Sequence, residues 1–186
     1  MEMFRPTRDG GASVWLSAGE AALLRSLVVP VMELLDEPGE NRGAGEPADV
    51  LGGLEKFFDE DVPPAPRDPV LARLLPDAYQ DDPQAAGEFR KYTESSLREA
   101  KKHFAQTVLD TLPPKGGRIR LTGDQARDWL RALNDVRLMF GVRLEVTEDF
   151  EAQLAALSPD DPKIAAFEVY GWLGAVQESL VQALAR

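Results

Sequence analysis

The stretch that decides the fold is DPQAAGEFRKYTESSLREAKKHFAQTVLDTLPP, residues 82–114. Asp82-Pro83 puts a capping carboxylate before a proline, whose fixed φ suits the first helical position and whose missing donor costs nothing there. Pro113-Pro114 ends the segment, because proline cannot continue a helix. Between them Ala86, Phe89, Thr93, Leu97, Ala100, Phe104, Val108 and Leu112 recur at helical spacing and predict one apolar stripe. A helix running from Pro83 to about Thr111, at ~1.5 Å per residue, is more than ~40 Å long and would be the spine of a helical bundle.

The flanking segments supply partners for that spine. Asp68-Pro69 repeats the capping device and launches a helix from Val70 to Leu75, and Asp161-Pro162 repeats it again before Lys163 to Leu184. Ser17 with Glu20 forms a capping box that opens a helix over 17–37, whose apolar positions are Leu23, Leu24, Leu27, Val28, Val31, Leu34 and Leu35. Pro30 lies inside it and predicts a kink near Ser26. Thr122 with Gln125 caps a further helix with Ala126, Trp129, Leu130, Leu133, Val136 and Phe140 on its buried face and Gly141 at its end. At the amino terminus, Phe4–Arg8 and Ala12–Leu16 flank Asp9-Gly10-Gly11 and predict a hairpin within residues 3–16, with Arg118–Leu121 as a third strand beside it. Residues 38–48 and 59–68 have loop composition, with a short helix expected from Val50 to Phe58 between them. The expected fold is mainly α: a single domain over 1–186, a helical bundle around a long spine helix, with a small N-terminal β-hairpin joined by one further short strand.

Composition bounds the function. The chain of 186 residues has no cysteine, so disulfides, thiol catalysis and zinc–thiolate sites are impossible in it. No apolar run approaches the ~20 residues of a membrane span, and no signal-peptide core follows Met1, so a cytoplasmic protein is expected. The net charge of -11 opposes direct nucleic-acid binding. Residues 115–143 run against that balance, with seven basic and three acidic side chains, a local +4. These arginines either pair with acidic helices of the same domain or offer a docking face to an acidic partner.

The catalytic inventory is sparse. His103 is the only histidine and sits beside the apolar stripe, the place of a packing residue; Glu99 lies one turn before it without the paired motifs of a helical metal site. Asp59-Glu60-Asp61 and Asp81-Asp82 lack the alternating ligands and central glycine of a calcium loop. Gly116-Gly117 precedes a strand rather than a helix, and no phosphate-cradling glycine motif occurs; Gly171 and Gly174 suit close helix packing. No cofactor and no metal is expected.

Several segments together resemble one family. They are Arg73-Leu74-Leu75-Pro76-Asp77-Ala78-Tyr79 with Asp82, then Glu88-Phe89-Arg90 and Thr93-Glu94, then Leu133-Asn134-Asp135-Val136-Arg137-Leu138 with Gly141 and Arg143. Glu20-Ala21 and Leu23-Leu24-Arg25 add a looser match near the start. This pattern resembles small actinobacterial proteins, long classed as a domain of unknown function and often encoded beside the protease adaptor ClpS, whose members are described as AosR-like oxidative-stress regulators. The resemblance implies a non-enzymatic regulator acting on transcription through protein contacts, with a sigma factor of RNA polymerase as candidate partner. An adaptor in regulated proteolysis is the alternative, and a small carboxylate enzyme around Asp77 and Glu88 a second. Redox sensing in the family is described as using a cysteine pair, which this chain lacks.

Two structural expectations follow. Asp77, Glu88 and Arg90 could meet Arg137 and Arg143 in a buried ion-pair network, with Arg73, Tyr79, Asp82, Asn134 and Asp135 as the other motif positions. The last helix is apolar around most of its circumference. Phe167, Tyr170, Leu173, Val181 and Leu184 suffice to pack it on the domain, which leaves Val169, Trp172, Val176 and Leu180 to be covered by the hairpin and first helix or by a second copy in a homodimer.

Overall fold

The computed structural model describes residues 2–36, 65–158 and 160–185. The expected loop 38–48, the helix Val50–Phe58, residues 59–64 of the following connector and the cluster Asp59-Glu60-Asp61 lie outside the described residues. The elements in chain order are β1 (Arg5–Pro6), β2 (Ala12–Leu16), α1 (Ala18–Asp36), α2 (Pro69–Leu74), α3 (Pro83–Thr111), β3 (Gly117–Leu121), α4 (Gly123–Arg143), α5 (Phe150–Ala155) and α6 (Lys163–Leu184). The mainly α architecture is as expected, with α3 as its longest helix.

The caps act as their chemistry requires. Asp68 accepts from the amides of Val70 and Leu71, and Asp82 from those of Gln84 and Ala85. Ser17 and Glu20 close a reciprocal capping box, and Thr122 and Gln125 another. At the third Asp-Pro pair, Asp161 accepts from the Lys163 amide, but Pro162 occupies the cap and the helix starts one residue later. Helix α1 runs through Pro30 to Asp36. Gly141 does not end α4. The helix continues to Arg143 and closes when Glu145 turns to a φ of 54°, with Val146 donating to the Gly141 carbonyl and Glu145 to that of Val142. Those two bonds satisfy the last carbonyls without a terminal glycine. Gly141 lies inside α4 beside the Tyr170 ring.

The sheet has the order β1-β2-β3, antiparallel throughout, so β3 joins the hairpin as expected. The first strand is shorter than its sequence suggests, because Thr7 already turns the chain: its amide and carbonyl bond Gly11 and Gly10, and its hydroxyl accepts from Gly11. Glycine is obligatory twice here. A Cβ on Gly11 would collide with the Leu121 carbonyl of β3, and one on Gly116, at φ +73°, would sit 2.5 Å from the Ala18 amide nitrogen. Ala12, Val14 and Leu16 of β2 face inward against Leu121 and Ile119 of β3, and all are buried.

Helix α4 is the hub, packing against α1, α2, α3 and α6, while α3 lies antiparallel to α1 and α4. Arg25 of α1 donates to the Leu112 carbonyl (3.1 Å) while Arg98 donates to Leu35 (3.2 Å), which sets α1 against α3. On another side, Trp129 of α4 is fully buried, donates its indole proton to Thr111 Oγ1 at 2.8 Å and meets the Phe4 ring edge-on. Helix α5, which carries no stripe to announce it, is capped by Asp149 and lays Phe150 against Phe167 and Tyr170.

The expected stripe of α3 needs correction. Phe89 and Leu97 are exposed, whereas Ala86, Arg90, Ala105 and Val108 are buried. The inward face continues through Glu94, Arg98 and Lys101, so its middle is charged. The last helix also differs. Val176 and Leu180 are core residues at 4% and 0% exposure, Val169 and Trp172 pack partly buried against the core, and Val181 faces outward at 41%. The hairpin covers this face: the Phe4 amide donates to Ser179 Oγ at 3.2 Å, and that hydroxyl donates to the Val176 carbonyl. Val176 and Leu180 are therefore covered within the chain, while Val169 and Trp172 remain partly exposed. Leu180→Ala should cost about 2–5 kcal/mol in urea unfolding, since it empties a filled core site. Val181→Ala should stay within about 0.5 kcal/mol; equal losses would contradict this packing.

Candidate functional site

The motif residues of the 73–94 region lie around the corner where α2 hands over to α3. Asp68 caps α2, the chain turns through Pro76 to Tyr79, and Asp82 restarts it as α3. Between the two lies a cavity of about 270 Å³ lined by Leu75, Pro76, Asp77, Ala78, Phe89, Arg90, Thr93, Glu94 and Leu97, together with Ala86. Residues 75–78, 89–90 and 93–94 of the motif segments line one concavity.

Its polar floor is an ion-pair relay. Arg90, only 8% exposed, pairs with Asp77 and reaches Glu94 at 3.9 Å; Glu94 in turn accepts from Arg98 Nε at 2.7 Å. Arg98 finishes on the Leu35 carbonyl at the end of α1. A guanidinium that low in the structure needs carboxylates, since an unpaired buried charge is costly. The rim is aromatic. Tyr79 (51% exposed) meets Phe89 (46%) edge-on at 6.1 Å. A shallow apolar rim over a satisfied polar floor suits contact with another chain's side chains.

The expected single network divides in two. Arg137 does not reach Asp77 or Arg90. It donates to Gln177 Oε1 at 2.8 Å, approaches the Tyr170 hydroxyl at 3.5 Å and stacks over that ring, joining α4 to α6, and its Nε finds no acceptor among the described residues. Glu88, Arg143, Arg73 and Asn134 are exposed, and none forms an ion pair among the described residues. The separation has a simple cause: Glu88 is two residues before Arg90 on α3 and faces away from it. Glu88 consequently does not line the cavity beside Asp77.

A buried pair that spacing could not join lies elsewhere on α3. Asp135 of α4, 3% exposed, receives Lys101 Nζ at 2.6 Å. Burial pushes the Asp135 carboxyl above the usual carboxylate range, and the hydrogen bond and charge of Lys101 partly offset this. The basic segment divides its charges locally: Arg127 pairs with Asp124, Arg131 with Asp128, and Arg120 with Asp9. His103 is exposed and 3.5 Å from Asp128, and Glu99 turns to Lys102. Among the described residues no three His, Asp or Glu side chains are grouped to hold a metal ion.

The family described as Domain of unknown function (DUF2017) matches residues 1–184. The chain belongs to that family. It is 37% identical over 192 residues to the oxidative stress regulator AosR of Mycobacterium tuberculosis (strain ATCC 25618 / H37Rv), covering 96% of this chain and 84% of that protein. The AosR protein of Mycobacterium bovis (strain ATCC BAA-935 / AF2122/97) gives the same figures. A Mycobacterium leprae (strain TN) relative is 36% identical over 178 residues, covering 89% of this chain and 78% of the relative. No solved structure matches significantly. No helix among the described residues is long and apolar enough to cross a membrane.

The Lys101–Asp135 contact generates a paired test. Lys101→Met leaves the carboxylate buried without its cation and should cost about 3–5 kcal/mol. Asp135 has a folded-state pKa raised above its unfolded value, so its ionisation erodes stability as pH rises through the folded pKa. The stability of wild type relative to Asp135→Asn should therefore grow as pH falls through the window above about 4. Urea midpoints across pH would show it; a flat difference would mean that burial does not perturb this group.

Proposed function

We propose that the chain is a non-enzymatic regulator of an oxidative-stress response that acts by protein–protein contact, with a sigma factor of RNA polymerase as its first candidate partner. The regulatory reading rests on the relatives, which carry the name oxidative stress regulator over nearly the whole chain. The observation that carries the mode of action is the α2–α3 corner. There motif residues build a shallow groove whose floor is neutralised and whose rim exposes Phe89 with Tyr79 against it. Aromatic side chains of this kind dominate the energetics of protein interfaces.

The chain has no cysteine, so the signal does not enter through a thiol of its own. Methionine oxidation is disfavoured as a substitute at Met139, which is buried, and at Met32, which packs against the core.

The test is capture of the tagged chain from its host, with and without peroxide, followed by quantification of sigma factors and polymerase subunits. Wild type should retain a sigma factor, and a Tyr79→Ser/Phe89→Ser variant, changed only at exposed positions, should retain about tenfold less. Recovery of neither sigma factor nor polymerase in either condition would overturn the sigma-factor reading. Equal recovery by the variant would move the contact away from the groove.

A further inference from the structure

The outward face of the three-stranded sheet is unlike the rest of this acidic molecule. Cross-strand pairing puts Arg5, Ser13 and Arg120 in one row and Trp15 with Arg118 in the next, all on the side opposite the core. Arg5, Arg118 and Arg120 are exposed, and Trp15 is 47% exposed among them. Arg8 in the hairpin turn and Lys115 before β3 are exposed beside them. Residues 4–16 and 115–121 hold five basic side chains and one acidic, a net +4 in a chain of -11, so the remainder carries -15.

These charges are not spent on the fold. Asp9 approaches Arg120 at 3.4 Å across a surface where both side chains are more than half exposed. Arg5, Arg8, Lys115 and Arg118 make no ion pair among the described residues. Arginines that served only packing would be paired or buried, and a tryptophan left half in water beside them forfeits apolar burial. Together they form an aromatic contact ringed by forked cations, a composition that matches an anionic partner carrying some apolar surface.

We propose that this sheet face docks an acidic, extended peptide segment of a partner protein, its carboxylates meeting Arg118, Arg120 and Arg5 and an apolar side chain resting on Trp15. The spacing supports an extended segment: Arg118 and Arg120 are two residues apart on one strand, about 7 Å, the repeat at which an extended chain presents every second side chain. The charge distribution favours a peptide over nucleic acid. A phosphate backbone would run beyond this small patch onto a body of charge -15, whereas a short acidic segment ends with the patch. This surface is distinct from the α2–α3 groove and does not depend on it.

The test uses the full chain and a fluorescent synthetic peptide of alternating glutamate and leucine, followed by anisotropy at low salt. Saturable binding that weakens as salt is raised is expected. Arg118→Glu should weaken it about five- to tenfold and Trp15→Ser about threefold. Arg127→Glu makes the same change in net charge at an arginine already paired with Asp124, and should leave binding within about twofold. Circular dichroism establishes that each variant is folded, as substitutions at exposed positions allow. Three results would overturn the proposal: no saturable binding, equal losses in Arg118→Glu and Arg127→Glu, or tighter binding of an oligothymidylate of equal charge, which would assign the face to nucleic acid.

Discussion

The spine helix turns a charged surface toward the interior, and the rest of the fold accommodates it. Ala86 at one end and Ala105, Val108 and Leu112 at the other bury in the ordinary way, but the middle of that face is Arg90, Glu94, Arg98 and Lys101. A helix so built cannot be covered by leucines alone, because each cation removed from water needs a carboxylate or carbonyl. Each neighbour supplies one. The α2–α3 corner contributes Asp77, α4 contributes Asp135, and the end of α1 contributes the Leu35 carbonyl. Each contact also sets a register, since a hydrogen-bonded pair tolerates little sliding where apolar ridges tolerate more.

That arrangement explains why an aromatic rim appears at the corner. With the inward face of α3 given over to charge, Phe89 and Leu97 are left on its outer side, beside Tyr79 from the turn. The apolar residues that would fill a core in an ordinary amphipathic helix here line an open groove. The same inversion places buried and exposed residues side by side: Arg90 pairs with Asp77 at the corner while the Phe89 ring, one residue earlier in the chain, faces solvent.

At the other end the amino-terminal hairpin closes the core. Phe4 reaches both Trp129 and Ser179, bringing the start of the chain onto the last helix and leaving the outer face of the sheet free of neighbouring elements among the described residues. A regulator with a neutralised aromatic groove at one place and an unneutralised basic face at another has two surfaces of different chemistry. Neither draws on a thiol, which this chain does not possess.

Much of the local chemistry was legible from the residues. The Asp-Pro starts of α2 and α3, the two capping boxes, the glycine turn of the hairpin and the double-proline stop after α3 depend on neighbours in sequence, and each formed where those neighbours required. The Asp77–Arg90 pair, whose members flank a single helix start, was within reach of such reasoning, whereas Arg137 was expected at the same network and lies elsewhere. What the residues could not determine was which side of an ambiguous helix turns inward. Period alone favours Phe89 and Leu97 over Arg90, and Val181 over Val176; the outcome depends on whether Asp77, Asp135 and Ser179 arrive from remote segments with their partners in reach. Such pairings are long-range, so the tertiary structure alone decided that α3 buries its charges, that Arg137 serves α6 rather than the motif corner, and that Val176 and Leu180 of the last helix are covered by their own chain.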